Sequence, residues 1–294
     1  MSSLGGLYIG VSGLNVSQTA LNTTSHNLAN VDTEGFVRQQ VVFTDFRYVK
    51  LGENHISLMQ EGLGADIATV KQVRDMFLDK AYRRETGRQS YYDAQYQAVQ
   101  EVEGLFGELE GVAFQDSLNE FWTSLQELAK EPDSIVTRAS LVETAVTFTE
   151  RAENISKQLN DYQLNLNTQI KNQVARINEI GDSLKELNLK IRNYEGSGVE
   201  HANDLRDQRN LLLDELGKIA DITYKETSNG VVNVNLEGVS FVNETTVYHM
   251  DTVPIDDTTA MLKPVWTAHG NADVFNLDRV PSSENDTDVG YLKG

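Results

Sequence analysis

The 294-residue sequence contains no cysteine. That excludes a disulfide framework, thiolate metal sites and cysteine catalysis together. Proline occurs four times, and never between Ile135 and Tyr194. Basic residues are outnumbered, 25 against 44 acidic ones, for a net charge of −19. Such a balance argues against nucleic acid as the main partner, because phosphate binding requires a basic face. The densest basic stretch, Lys71 to Arg88 with Arg74, Lys80, Arg83 and Arg84, reads as a solvated helix face. No apolar run approaches the roughly 20 residues of a membrane helix, so no membrane partner is expected. The N-terminus has neither a positive segment nor a continuous apolar core, which excludes a Sec-type signal peptide, and without Arg it is no mitochondrial presequence. A chain of this kind that leaves the cell takes another route. What is present, 39% hydrophobic and 23% charged residues, excludes a disordered acidic tail, and the length allows two domains or more.

Charge is also missing locally. Apart from His26, no side chain before Asp32 is ionisable near neutral pH. Within this stretch, positions 4, 7, 11, 14, 18, 21, 25 and 28 hold Leu, Leu, Val, Leu, Gln, Leu, Ser and Leu. The steps of three and four make a narrow coiled-coil seam, weakened by the Gln and the Ser. Gly5, Gly6, Gly10 and Gly13 each cost a helix about 1 kcal/mol relative to Ala. A helix of this composition is marginal alone and forms against a partner. Periodicity leaves a second reading open, an ordinary buried N-terminal helix.

From Phe36 to Lys50 the pattern turns to alternation, with Val37, Gln39, Val41 and Phe43 on one face, and a second extended piece runs over Ile67 to Val73. Between them "GENHISLMQEGLGAD" carries turn signals. A helix is predicted over about 75–108. Next, Phe114, Leu118, Phe121, Leu125 and Leu128 form an amphipathic helix stopped by Pro132. The dominant feature follows. From Ile135 to Tyr194 the only glycine is Gly181, and apolar residues keep step through Ile155, Leu159, Ile177, Ile180, Leu184, Leu187 and Ile191, which predicts a very long helix in a hairpin or rod. "EGSG" (195–198) ends it, and 202–220 reads as the returning helix. Beyond Ile222 strands take over: Asn229–Gly230 lies between "ITYKE" and "VVNVNL" as a hairpin signal. The fold class is therefore mainly α with a smaller β region, a long helical coiled-coil bundle plus a short-stranded β domain. Along the chain it divides into a heptad segment (1–32), an extended segment (33–73), a long helical bundle (74–220) and a small β region (221–294) that is expected to be incomplete.

Chemistry is hard to find. The five histidines show no metal-ligand spacing, and neither a zinc-protease helix nor a nucleophile elbow occurs. Glu284, Asp286 and Asp288 alternate like the start of a calcium loop, but Val289 stands where that loop needs glycine, so a solvated acidic linker is expected. "DLRDQRNLLLDEL" (Asp204 to Leu216) reads as a salt-bridged packing helix. No nucleophile, base and oxyanion hole assemble. The expectation is no enzyme, with no catalytic residue, no cofactor and no metal.

The segment Ser25-His26-Asn27-Leu28-Ala29-Asn30-Val31-Asp32-Thr33-Glu34-Gly35-Phe36-Val37-Arg38-Gln39 resembles the N-terminal signature of bacterial flagellar axial proteins. By itself that signature marks the axial group and not the member. "FWTSLQELAKEPDSIVTRASLVETA" (Phe121 to Ala145), the very long helix and "DLRDQRNLLLDEL" narrow the resemblance to the hook-associated protein 1 family, over roughly residues 1–245. The resemblance implies a structural subunit that joins hook to filament, secreted by the flagellar type III apparatus to the extracellular flagellum. Implied partners are copies of itself, the hook protein, the second junction protein and filament side, and a flagellar export chaperone. It also implies that the N-terminal heptads pair with a C-terminal helix, and this chain reaches Gly294 without one. The residues expected to act in assembly are Leu7, Val11, Leu14, Leu21 and Leu28 for core packing. Asn27, Asn30, Gly35, Phe36 and Arg38 are expected to make the bend. Alternatives are another axial subunit (rod, hook or flagellin-like) and a soluble coiled-coil binding module.

Overall fold

The computed structural model describes residues 3–54, 57–106, 114–196, 201–256, 260–276 and 280–294. Among the described residues five helices dominate: α1 (Ser3–Ala29), α2 (Met76–Phe106), α3 (Phe114–Lys130), α4 (Ile135–Glu195) and α5 (Asn203–Ile219). The strands are short: β1 (Gln39–Asp45), β2 (Tyr48–Asn54), β3 (Ser57–Gly62), β4 (Ala65–Gln72), β5 (Ile222–Glu226), β6 (Val232–Leu236), β7 (Val239–Val242), β8 (Met250–Pro254), β9 (Leu262–Trp266) and β10 (Ala272–Asp273). They pair antiparallel as β1–β4, β2–β3, β5–β6–β7 and β8–β9–β10. The fold is mainly α with smaller β parts, as the periodicities predict. Among the described residues no helix is long and apolar enough to cross a membrane. Packing groups the chain into two units that are discontinuous in sequence, residues 1–83, 179–217 and 222–248, and residues 84–178, 218–221 and 249–294.

In the first unit α1 packs on the β1–β4 pair, whose register runs from Gln39↔Gln72 to Asp45↔Ala65 with a bulge at Val42/Phe43. The core is built by Ile180, Leu184, Leu187 and Ile191 of α4, Leu213 and Leu216 of α5, and Val234, Leu236 and Phe241 of the β5–β6–β7 sheet, all buried. Gly181 has a packing reason: a Cβ there would lie 2.6 Å from Phe241 Cζ and 2.8 Å from Val247 Cγ1. The expected hairpin forms, with Thr227 N donating to Val231 O at 2.8 Å and Gly230 at φ +79°.

Two expectations are corrected in this unit. The stretch 52–66 is not only turn: it contains β3, paired with β2, and the turn signals act at Gly64, whose φ of +116° carries the chain from β3 to β4. His55 and Ile56 lie outside the described residues. The basic stretch is not a solvated face at its centre. Arg83 is only 3% exposed, its Nε 2.6 Å from Asp214 Oδ1 and its guanidinium 4.6 Å from the Tyr224 ring centroid. A planar, delocalised guanidinium with a matched carboxylate and an aromatic face can be buried where an isolated cation cannot.

In the second unit α3 and the first part of α4 pack through aromatics. Phe121 stacks on Phe148 with centroids 5.8 Å apart, and Ser124 Oγ and Thr144 Oγ1 share a hydrogen bond of 2.7 Å. Val174 and Ile177 of α4, Met250, Val265, Trp266 and Phe275 are buried. Here too the sequence misleads. The acidic triplet 284–288 is no solvated linker, because Asp288 is fully buried and accepts from Arg88 Nε (3.2 Å), Tyr92 Oη (3.1 Å) and Ser283 Oγ (2.6 Å), while Asp286 pairs with Arg88 Nη2 at 2.7 Å. The half-buried Arg88 needs counter-charge, and Asp286 and Asp288 supply it together with Glu85.

Along α4, Asn167, Asn178 and Asn188 each present a carboxamide to strand backbone. Asn167 donates to Ala260 O (2.7 Å) and accepts from Leu262 N (3.0 Å). Asn178 does both with Met250, at 2.9 Å each, and Asn188 with Val232, at 2.9 and 3.1 Å. A carboxamide carries the same donor–acceptor pair as a peptide group, so each asparagine satisfies backbone that would otherwise need another strand.

Candidate assembly interface

Helix α1 has two faces. Ile9, Ser12, Val16, Thr23 and Asn27 are half-buried on one side, and Ser12 Oγ accepts from Ala65 N at 3.2 Å. The approach is close, since a Cβ on Gly64 would stand 2.0 Å from Ser12 Oγ. The seam lies on the other side. Leu7, Leu14, Leu21 and Leu28 are 64%, 67%, 61% and 74% exposed, and Val11 is exposed with them. Of the two readings left open by periodicity, burial of the seam within the chain is not what the described structure has. Exposed leucines at three-four spacing on an uncharged helix form a surface that water solvates poorly and a second helix covers well.

The expected bend residues cluster at the foot of α1. Asn27 repeats the α4 device: its Nδ2 donates to Gln39 O at 2.8 Å and its Oδ1 accepts from Gln39 N at 2.9 Å, fixing the first residue of β1 to the helix. Asn30 closes the helix end, donating to His26 O at 2.9 Å and accepting from Thr33 Oγ1 at 3.2 Å. Gly35 takes φ +77°, where the chain reverses, and a Cβ there would meet Leu211 Cδ1 at 3.3 Å. Phe36 lies edge-on to His26 with centroids 5.3 Å apart. The Arg38 side chain is exposed, and its carbonyl accepts from Val73 N at 2.9 Å. The structure therefore brings Asn27, Asn30, Gly35, Phe36 and Arg38 together and leaves the seam residues outward.

Sequence reasoning missed the far side of this bend. The buried Asp207 of α5 accepts from Val37 N at 3.3 Å and from Gln72 Nε2 at 2.7 Å. Asn203, one turn earlier and also buried, donates to Val70 O at 3.0 Å, and its carbonyl takes a second bond from Gln72 at 2.9 Å. The charge pattern of 204–216 is visible in the sequence, but partners 130 to 170 residues away are not. On the same helix Arg206 binds Glu195 and Glu226 at 2.7 Å, and the buried Arg209 donates to Asn188 Oδ1 (3.2 Å) and the Gly230 carbonyl (2.5 Å). Burial raises the Asp207 carboxyl above its ordinary value despite the Val37 amide. Burial would also raise Glu195, but the Arg206 guanidinium and the Ala202 amide outweigh it and hold that carboxyl low. These are ion pairs and caps that position backbone. Among the described residues no group of three or more His, Cys, Asp or Glu is placed to hold a metal.

A family profile described as "Flagellar hook-associated protein FlgK helical domain" matches residues 99–284, more than half of the chain, and one described as "Flagella basal body rod protein" matches residues 7–36. Flagellar hook-associated protein 1 of Bacillus subtilis is 32% identical over 231 residues, covering 78% of this chain and 45% of that protein. The protein of the same name from Salmonella typhimurium is 28% identical over 268 residues, covering 90% and 47%. The chain thus spans about half the length of the curated relatives it matches. The solved structure of the flagellar hook junction protein FlgK from Burkholderia pseudomallei superposes with a TM-score of 0.58 at 20% identity, covering 74% of this chain and 38% of that one, which shows a shared fold.

Proposed function

The chain belongs to the flagellar hook-associated protein FlgK family, and from that premise we propose that it is a structural subunit of the bacterial flagellum, an extracellular adaptor between hook and filament. The observation that carries the reading is α1: an uncharged helix whose leucine seam faces outward while its foot is fixed to the rest of the first unit by Asn27 and the bend. A seam this weak alone stays unfolded through an export channel and folds on binding when a helix covers it. Leu7, Val11, Leu14, Leu21 and Leu28 then pack in the core of a tubular self-assembly. Copies of the chain, the hook protein and the second junction protein on the filament side are its partners, and an export chaperone delivers it. Its work is mechanical and involves no catalysis.

A clean deletion in the source bacterium, with microscopy of the cell surface and an assay for flagellin in the medium, tests this. Intact hooks without filaments, together with monomeric flagellin shed into the medium, are expected. Absent hooks would move the protein to the rod or hook, and normal motile filaments would sink the flagellar reading.

A further inference from the structure

The charge-patterned motif "DLRDQRNLLLDEL" stands far from the seam in sequence, yet one of its faces ends at the seam's foot. Asp207 and Asn203 are both buried, and their hydrogen bonds go to backbone and to one strand side chain: Val37 N, Val70 O and Gln72. Val37 lies two residues before β1, and Gln72 ends β4 opposite Gln39, the residue that Asn27 grips from α1. The two clamps therefore hold the same rung of the β1–β4 pair, one from α1 and one from α5. Behind Asp207, the α5 helix is fixed in turn through Arg209 to Asn188 of α4 and through Arg206 to Glu195 and Glu226.

We propose that Asp207 and Asn203 are positioning residues for assembly, fixing the direction of the seam helix against the rest of the first unit. The inference rests on the assembly reading above and adds to it the part of the chain that aims the seam. A coiled-coil seam engages only when its stripe faces the partner over several turns, so a free pivot at its foot would spread the stripe over many directions and weaken pairing through lost pre-organisation. The requirement at 207 is two acceptor oxygens, since Oδ2 takes the Val37 N–H and Oδ1 takes the Gln72 side-chain N–H.

The absence of native cysteine makes a direct test simple. Spin labels at Thr24→Cys on α1 and Lys225→Cys on β5, both exposed and both in the first unit, report the distance distribution by double electron–electron resonance in the 294-residue chain. A single narrow peak is expected for the parent, its loss for Asp207→Ala, and a partial return for Asp207→Asn, which keeps one of the two acceptor oxygens. Asp204→Ala, an exposed neighbour on α5, should leave the peak unchanged. If Asp207→Ala does not fold by circular dichroism, Gln72→Ala opens the same clamp from the strand side and should also lose the peak. A narrow peak in the opened variants, or equal broadening in Asp204→Ala, overturns the proposal. In a deletion strain, Asp207→Ala should leave hooks bare and Asp207→Asn should restore filaments in part. Normal filaments on a broadened seam would overturn the assembly role. If the deletion itself leaves filaments intact, the junction reading fails and the distance measurement still decides the positioning.

Discussion

Helices α1 and α4 are both proline-free and both carry apolar residues in three- and four-residue steps, but they keep those residues in opposite places. On α4, Ile180, Leu184 and Ile191 are essentially inaccessible, buried within the chain itself. On α1, Leu7, Leu14 and Leu28 stand in solvent, while a mixed face, Ile9, Ser12, Val16, Thr23 and Asn27, is the half-buried one and makes the contacts within the chain. Charge divides in the same way. Residues 1–83 hold eight acidic and seven basic side chains, against 36 and 18 in the remainder. A nearly neutral, apolar-faced region can pack against copies of itself without the self-repulsion that an acidic surface brings. A helix's apolar stripe reveals that it has a partner, and only the packing of its other face reveals whether that partner is in the chain.

The comparison breaks most easily on the α4 side. Ile191→Ala removes a fully buried side chain from the first unit and should cost about 2–5 kcal/mol in denaturant unfolding. Asn188→Ala comes next. It strands the buried amide and carbonyl of Val232, each worth about 1–3 kcal/mol when left unpaired. The corresponding cut at the foot of α1, Asn27→Ala, exposes a half-buried pair that water can satisfy, so its global effect should be smaller than that of Asn188→Ala and its local effect larger. Amide exchange at Gln39 against the global unfolding free energy separates the two. Equal global losses at both positions would remove the distinction between the helices.

How far the sequence reveals these features depends on how local they are. The helices from 76 onward and the Asn229–Gly230 hairpin follow from periodicity and turn chemistry within a few residues. The bend residues 27, 30 and 35 are legible through the family resemblance; of the three only Gly35 takes a positive φ, and Asn27 acts through its side chain on Gln39. The β2–β3 pair is hidden, because glycines at 52, 62 and 64 read as turns while the strands between them depend on each other. Arg83 and Asp288 are hidden for a related reason. A charged residue looks solvated until its partner, 131 or 200 residues away, is known. The Asp207 clamp belongs to the same class, and that is why the foot of the seam is half legible.

Acid sharpens the contrast between clamp and core. Glu195 and Asp288 have carboxyls held below their ordinary values, because bonds to Arg206 and to Ser283, Arg88 and Tyr92 overcome burial. Each contributes stability that is present above its unfolded-state value and lost as pH falls through the lower folded one. Asp207 is shifted the other way, by burial. Its contribution is fully present below the unfolded value and lost as pH rises through the folded one, so at neutral pH its ionised form is a cost. Asp207→Asn should therefore flatten the profile just above the ordinary aspartate range, whereas Glu195→Gln should lower stability at pH 7 and weaken acid sensitivity. Thermal unfolding between pH 3 and 7 reads both signs.

The smallest expected effect on stability is the one that isolates the seam. Leu14 is two-thirds exposed, so Leu14→Asp removes almost no buried area and should change the unfolding free energy of the isolated chain by less than about 0.5 kcal/mol. It nevertheless places a carboxylate in the middle of the stripe. Covering that stripe with a second helix then means burying an unpaired charge, which costs far more than the leucine contributed. The same substitution at Ser17, an exposed position off the stripe, introduces identical charge without that penalty. Filament formation lost with Leu14→Asp, retained with Ser17→Asp, and equal melting temperatures for both would tie the seam to assembly independently of folding. Equal loss with both would mean that the charge-free character of α1 as a whole matters, for export or for packing, and that the stripe has no special standing within it.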